Sequence, residues 1–178
     1  MFRRLGLSVV CVAMVWPVFV QDAHASDRHD EPHRLSLAAD FDYGAAIGNS
    51  EVDDGGGFGI RAGSEHDFVL VTLIPEVGFN WHHFDSAPDA TTWAGVLGGR
   101  IRFLKILEPG IFAHAGVGHV GGYDPHVGFA FDAGVTLDLT ILPLVDIGLH
   151  AAWNRVFGDS DDNGLSYSSV GAHVALVL

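Results

Sequence analysis

The segment His126 to Ile141, HVGFAFDAGVTLDLTI, alternates in character over its whole length. Val127, Phe129, Phe131, Ala133, Val135, Leu137, Leu139 and Ile141 share one register, while Gly128, Ala130, Asp132, Gly134, Thr136, Asp138 and Thr140 share the other. A strand directs successive side chains to opposite faces, so this period of two specifies a β-strand with one apolar and one small or polar face. Strands in soluble domains usually run about 5–6 residues, whereas a strand that crosses a bilayer at a tilt needs roughly 9–11. Length and two-facedness together point to a sheet with hydrocarbon on one side and charge on the other.

The pattern recurs on both sides of this template. Leu35, Leu37, Ala39, Phe41, Tyr43, Ala45 and Ile47 oppose Arg34, Ser36, Asp40 and Asp42. The acidic stretch Gly48 to Gly56 reads as a turn, after which Phe58, Ile60 and Ala62 oppose Gly59, Arg61 and Gly63. A second turn is expected near Ser64 to Asp67. Val69, Val71, Leu73, Val77, Phe79 and Trp81 then oppose Thr72, Glu76, Asn80 and His82. Pro75 cannot donate to a ladder, which predicts a bulge or irregular pairing there. Beyond the polar loop Asp85 to Thr91, Trp93, Leu97, Ile101 and Phe103 oppose Ala94, Gly98, Arg100 and Arg102. A tight link is expected at Leu107 to Gly110, and a weakly alternating strand of mostly small residues follows. Gly121 to Pro125 leads into the template strand, and Leu142-Pro143 turns the chain out of it. Val145, Ile147, Leu149, Ala151 and Trp153 oppose Asp146, Gly148, His150 and Asn154, then the acidic loop Gly158 to Gly164 intervenes. The last strand sets Val170, Ala172, Val174, Leu176 and Leu178 against Ser169, Gly171, His173 and Ala175. The expectation is eight antiparallel strands whose connections alternate between longer acidic loops and short turns.

The N-terminus has a separate purpose. Arg3 and Arg4 precede the apolar run Leu5 to Val20, and Ala23-His24-Ala25 fits a small-x-small cleavage site. Residues 1–25 read as a secretory signal peptide, 26–33 as a flexible lead-in and 34–178 as the folded domain. Cys11 lies within the signal, so cleavage leaves a chain without thiol or disulfide chemistry. The formal net charge of −13 argues against nucleic acid as a partner.

Eight strands with this alternation close into an up-and-down barrel, and the two faces decide which way round. A barrel of eight strands has little interior room, so its inward side chains must be small or must pair. The bulky apolar register therefore faces outward, where only lipid tolerates so much exposed hydrocarbon. Closure also satisfies the backbone polar groups in a medium without water. A lipocalin-like soluble barrel would need the opposite arrangement. Tyr43, Trp81, Trp93 and Trp153 fall on the outward register near the long-loop ends of their strands, as an aromatic girdle at headgroup depth requires.

The chain resembles the small OmpA/OmpX-type outer-membrane β-barrels over Arg34 to Leu178. Ser169 to Leu176 is similar to the polar-x-Gly-x-x-apolar-x-apolar signal that the barrel assembly machinery reads, although the chain ends in Leu178 rather than an aromatic residue. The resemblance implies bacterial outer-membrane localisation among lipids and lipopolysaccharide.

Inside the expected barrel, Asp40, Arg61, Glu76, Arg100, Arg102, His114, Asp132, His150 and His173 form a charge network, with Arg34, Asp42, His82, Asp138 and Asp146 on the same register. Hairpin arithmetic sets Glu76 opposite Arg100, His114 opposite Asp132 and His150 opposite His173. Confined charges must pair or neutralise, so the network is expected to plug the barrel. Ser166, Ser168 and Ser169 lack a GxSxG elbow, and no catalytic residues, metal site or cofactor are expected. Asp159 to Gly164 resembles the start of a calcium loop, but Val170 stands where the bidentate Glu belongs, and His29 and His33 sit in a segment with nothing to hold them rigid. The reading is a non-enzymatic outer-membrane barrel presenting four acidic loops of unknown ligand. The alternatives are a lipid-modifying enzyme, and a narrow channel or soluble ligand carrier.

Overall fold

The computed structural model describes residues 33–48, 52–86, 89–122, 125–140, 142, 144–158 and 164–178. The signal segment 1–25 and most of the calcium-loop-like stretch lie outside them. The strands are β1 (Arg34–Ala46), β2 (Val52–Asp67), β3 (Val71–Ser86), β4 (Ala90–Phe103), β5 (Leu107–Gly121), β6 (His126–Leu139), β7 (Val145–Phe157) and β8 (Gly164–Val177). Each pairs antiparallel with the next, and β1 pairs antiparallel with β8 to close the barrel. The chain is an eight-stranded antiparallel up-and-down β-barrel, and the strands of 13 to 16 residues are long enough to cross a bilayer.

Over the middle of each strand the apolar register faces outward. Phe41 is 66 % exposed, Leu97 69 % and Leu149 62 %, while the neighbouring Asp40 is 4 % exposed. This belt would be untenable in water and is what a transmembrane barrel presents to lipid.

Strand ends differ from expectation in a consistent way. β2 begins at Val52 and continues to Asp67, so part of the acidic stretch and all of the expected Ser64 to Asp67 turn belong to the strand. The turn falls instead at 68–70. Likewise the link expected at Leu107 to Gly110 is the first turn of residues in β5, and the chain reverses at 104–106, where Leu104 adopts a φ of 70°. Asp85, Ser86 and Ala90 extend β3 and β4 into the expected loop. No connection is longer than the six residues 158–163, so the two rims do not differ as long loops and short turns do. The physical reason is that inward positions stay buried past the apolar belt, which keeps the ladder profitable beyond the point where outward alternation fades. At Pro75 the irregular pairing takes the form of a gap rather than a bulge: Pro75 pairs with Gly99 of β4, but the β2–β3 ladder is interrupted at Ile74 and Pro75 and resumes in the same register, the register shift lying between Val52 and Gly55.

The acidic rim is the end bearing the β1–β2, β3–β4, β5–β6 and β7–β8 connections; the turn rim is the other.

Candidate functional site

The interior is built in layers. At the turn rim, Arg34 pairs with Glu65 at 2.8 Å and Asp67 at 2.7 Å. Arg102 is the hub of this layer, reaching Glu65 at 2.6 Å, Asp146 at 2.8 Å and Glu108 at 3.1 Å. All of its partners are nearly or fully buried, so each charge depends on the others for the solvation it has lost.

The middle layer joins all sides of the barrel. Arg61 pairs with Asp40, with its Nε donating to Asp40 Oδ2 at 2.9 Å, and it approaches Glu76 at 3.5 Å. Arg100 lies 3.4 Å from Glu76 and 3.8 Å from Asp138. His114 bridges Glu76 at 2.8 Å and Asp132 at 2.6 Å through its two ring nitrogens. Both nitrogens face carboxylate oxygens, so each contact needs a proton, carried by the ring or by the carboxyl. Phe112 stacks on the ring at 5.3 Å between centroids.

Two further histidines stand between β7, β8 and β1. His173 Nε2 contacts Asp138 Oδ1 at 2.7 Å, and His150 Nε2 contacts Asp42. Glycines make room for the rings: Gly148 pairs opposite His173 and Gly171 opposite His150. A Cβ on Gly148 would strike Asp138 and the His173 ring, and one on Gly171 would strike Asp42 and the His150 ring. His82 lies 3.7 Å from Asp42 and 3.2 Å from the Tyr167 hydroxyl. Asn154 donates to Ser169 Oγ at 3.1 Å.

Every residue expected in the charge network thus has its side chain inside, but the pairing differs in detail. His114 is opposite Asp132 as expected. Glu76 is opposite Gly98, and Arg100 opposite Ile74. His150 is opposite Gly171 rather than His173, the two rings sitting diagonally at 5.8 Å between centroids. Hairpin arithmetic placed these two pairs two residues out because it assumed the wrong turn centres; the face survives such a slip, and long side chains still meet along the diagonal.

Sequence reasoning misses three acids and an apolar layer. Glu65, Asp67 and Glu108 fall in stretches with the composition of turns, yet Glu65 and Glu108 are 1 % and 2 % exposed and Asp67 pairs with the buried Arg34. Their even spacing from Arg61 and from Gly110 along continuous strands was the available signal. Towards the acidic rim the interior is not polar: Val52, Phe84, Val96, Val120, Val156, Leu165 and Tyr167 form a buried apolar cluster, with Phe84 wholly inaccessible. Below this cluster lies a cavity of about 30 Å³ bordered by Asp40, Asp42, His82, His114, Asp132 and His150.

Outside, Tyr43, Trp93 and Trp153 are exposed and Trp81 partly so. Trp81 and Trp93 are direct cross-strand partners, and Phe58 and Phe131 pack on Trp81 and Trp153 at 5.5 and 6.0 Å. All four lie within five residues of their strand ends at the acidic rim. At the turn rim, the exposed His33 and the half-buried His66 place their Nδ1 atoms 2.9 Å apart.

A closed eight-stranded meander, apolar outside and ionic inside, defines a small transmembrane β-barrel of the OmpA/OmpX architectural type. No family model and no curated protein sequence matches the chain. Among solved structures, the crystal structure of Neisserial surface protein A (NspA) is similar at a TM-score of 0.53 with 14 % identity, covering 82 % of this chain and 97 % of that one. Ail, the attachment invasion locus protein of Yersinia pestis, gives 0.47 at 11 % identity, covering 82 % and 97 %. The N-terminal β-barrel domain of Pseudomonas aeruginosa OprF gives 0.45 at 11 %, covering 80 % and 97 %. At such identity the likeness to NspA concerns the fold.

Proposed function

We propose that this protein is a non-enzymatic integral protein of the bacterial outer membrane, exported by residues 1–25, with a structural or surface-interaction role and a plugged interior. The observation that carries the reading is the pairing of a closed barrel with an outward belt of Phe41, Leu97, Leu149 and their neighbours around buried ion pairs. Such a surface is matched by lipid and lipopolysaccharide acyl chains. Two features support the plug: the guanidinium–carboxylate layers fill the middle and the turn rim, and the Phe84–Tyr167 cluster obstructs the acidic rim. The interior cavity, about 30 Å³, has room for only a water or two. Assembly would use β8, whose Ser169 to Leu176 carries the signal-like pattern for the barrel assembly machinery. The aromatic girdle of Tyr43, Trp81, Trp93 and Trp153 would set the depth of insertion. Connections of at most six residues reduce the part that the four acidic loops can play in binding.

Fractionation of expressing cells, followed by electrophoresis of heated and unheated samples, tests this reading. The protein should partition with the outer membrane and migrate differently before and after heating. Recovery as a soluble periplasmic monomer with one heat-independent mobility would refute it.

A further inference from the structure

Among the described interior residues, nine carboxylates (Asp40, Asp42, Glu65, Asp67, Glu76, Glu108, Asp132, Asp138 and Asp146) accompany only four guanidiniums (Arg34, Arg61, Arg100 and Arg102). A proton shared among His114, Glu76 and Asp132 offsets one of the excess negative charges. Buried charge on this scale calls for further cations, either protons or metal.

One place in the barrel is shaped for a metal. Asp40, His150 and His173 each offer a donor atom within 4.8 Å of the other two. Asp40 and His173 are direct partners across the β1–β8 seam, and His150 is the diagonal neighbour on β7. The Nδ1 atoms of both histidines are buried and have no hydrogen-bond partner. His150 Nδ1 stands 4.0 Å from Asp40 Oδ1, beyond hydrogen-bond reach. His150 Nε2, by contrast, is hydrogen-bonded to Asp42, and His173 Nε2 lies 2.7 Å from Asp138 Oδ1. A carboxylate on one ring nitrogen fixes the tautomer and turns the other lone pair to the ion, which is how histidine ligands of metals are oriented. Arg61 engages both oxygens of Asp40, Oδ1 included, and each carboxylate oxygen has a second lone pair to give.

We propose that Asp40, His150 and His173 bind a divalent transition cation, Zn²⁺ by preference, which staples the first strand of the barrel to the last two. Two imidazoles and one carboxylate suit Zn²⁺ better than Ca²⁺ or Mg²⁺, which favour all-oxygen sites. Bonds of roughly 2.0–2.1 Å require the donors to close in by about 1 Å, a movement of side chains across the glycine gaps at Gly148 and Gly171. A water from the adjoining cavity completes the tetrahedron.

The folded protein in detergent micelles, stripped with chelator, is titrated with Zn²⁺ by calorimetry while side-chain nitrogen resonances of the histidines are followed. One ion should bind per chain, with large shifts at His150 and His173 Nδ1, and the heat-induced change in gel mobility should move to higher temperature. His150→Gln and His173→Gln, each checked for folded mobility, should weaken binding by more than the roughly 10–100-fold typical of losing an outer-shell partner. The double variant His33→Gln/His66→Gln removes the rim pair and should bind as the wild type does. Absence of stoichiometric binding would overturn the proposal. So would shifts confined to His33 and His66, or unchanged affinity in a folded His150→Gln/His173→Gln variant. Where a variant fails to fold, the wild-type histidine shifts decide between the sites.

Discussion

Phe131 and Asp132 are one peptide bond apart and occupy different media. Phe131 is outward and packs on Trp153 at 6.0 Å between centroids, while Asp132 is 5 % exposed and bonded to His114. Phe131→Arg brings a guanidinium into the lipid-facing register near the middle of β6. It should lower stability by about 2–4 kcal/mol, measured by urea unfolding in lipid vesicles. A cost near zero would remove this residue from the bilayer. Arg102 makes the opposite case, since its loss leaves Glu65, Glu108 and Asp146 facing one another without their shared cation. Arg102→Leu should cost about 3–5 kcal/mol, the range for breaking a buried pair, and more than Arg34→Leu nearer the rim. If both variants unfold at the wild-type denaturant concentration, the turn-rim cluster is solvated rather than buried.

At the scale of the strand, sequence alone resolved faces far better than ends. Period two marks which residues share a face, and a register slip of two preserves it; hence Asp40, Arg61, Glu76 and His114 were placed inside although Glu76 lies opposite Gly98. Ends are harder because Gly55-Gly56-Gly57 has the composition of a turn yet lies within β2, and Glu65 and Glu108 look like rim acids until the ladder is seen to run past them. The apolar cluster around Phe84 and Tyr167 was illegible for a related reason: near the acidic rim, polar residues such as His83 and Asp85 take the outward register and apolar ones the inward, reversing the code used for the rest of the strand. Close glycines tie one strand to another. A Cβ on Gly98 would collide with the β5 backbone at Ala113 and His114. Gly98→Val should therefore force β4 and β5 apart at the Glu76–His114 bridge, with a cost of about 1–3 kcal/mol or more in the same unfolding assay. Wild-type stability in that variant would mean that the two strands are not held at this separation.

For the whole molecule, the outer surface and the filled interior have separate consequences. A barrel of eight strands whose lumen is occupied by ion pairs at one end and by Phe84, Tyr167 and Leu165 at the other should conduct poorly. Reconstituted in planar bilayers, it should show no large stable openings, and reproducible porin-sized steps would contradict the plugged interior. The central claim, however, is that the odd register of β6 meets lipid and the even register does not. Its most direct measurement places a single cysteine-linked fluorophore at each position from 127 to 138 in turn, in vesicles containing brominated lipid. Quenching should alternate along the strand, strong at 127, 129, 131, 135 and 137 and weak at 128, 130, 132, 136 and 138. Quenching in the opposite phase, or none that depends on the lipid, would contradict the assignment of faces.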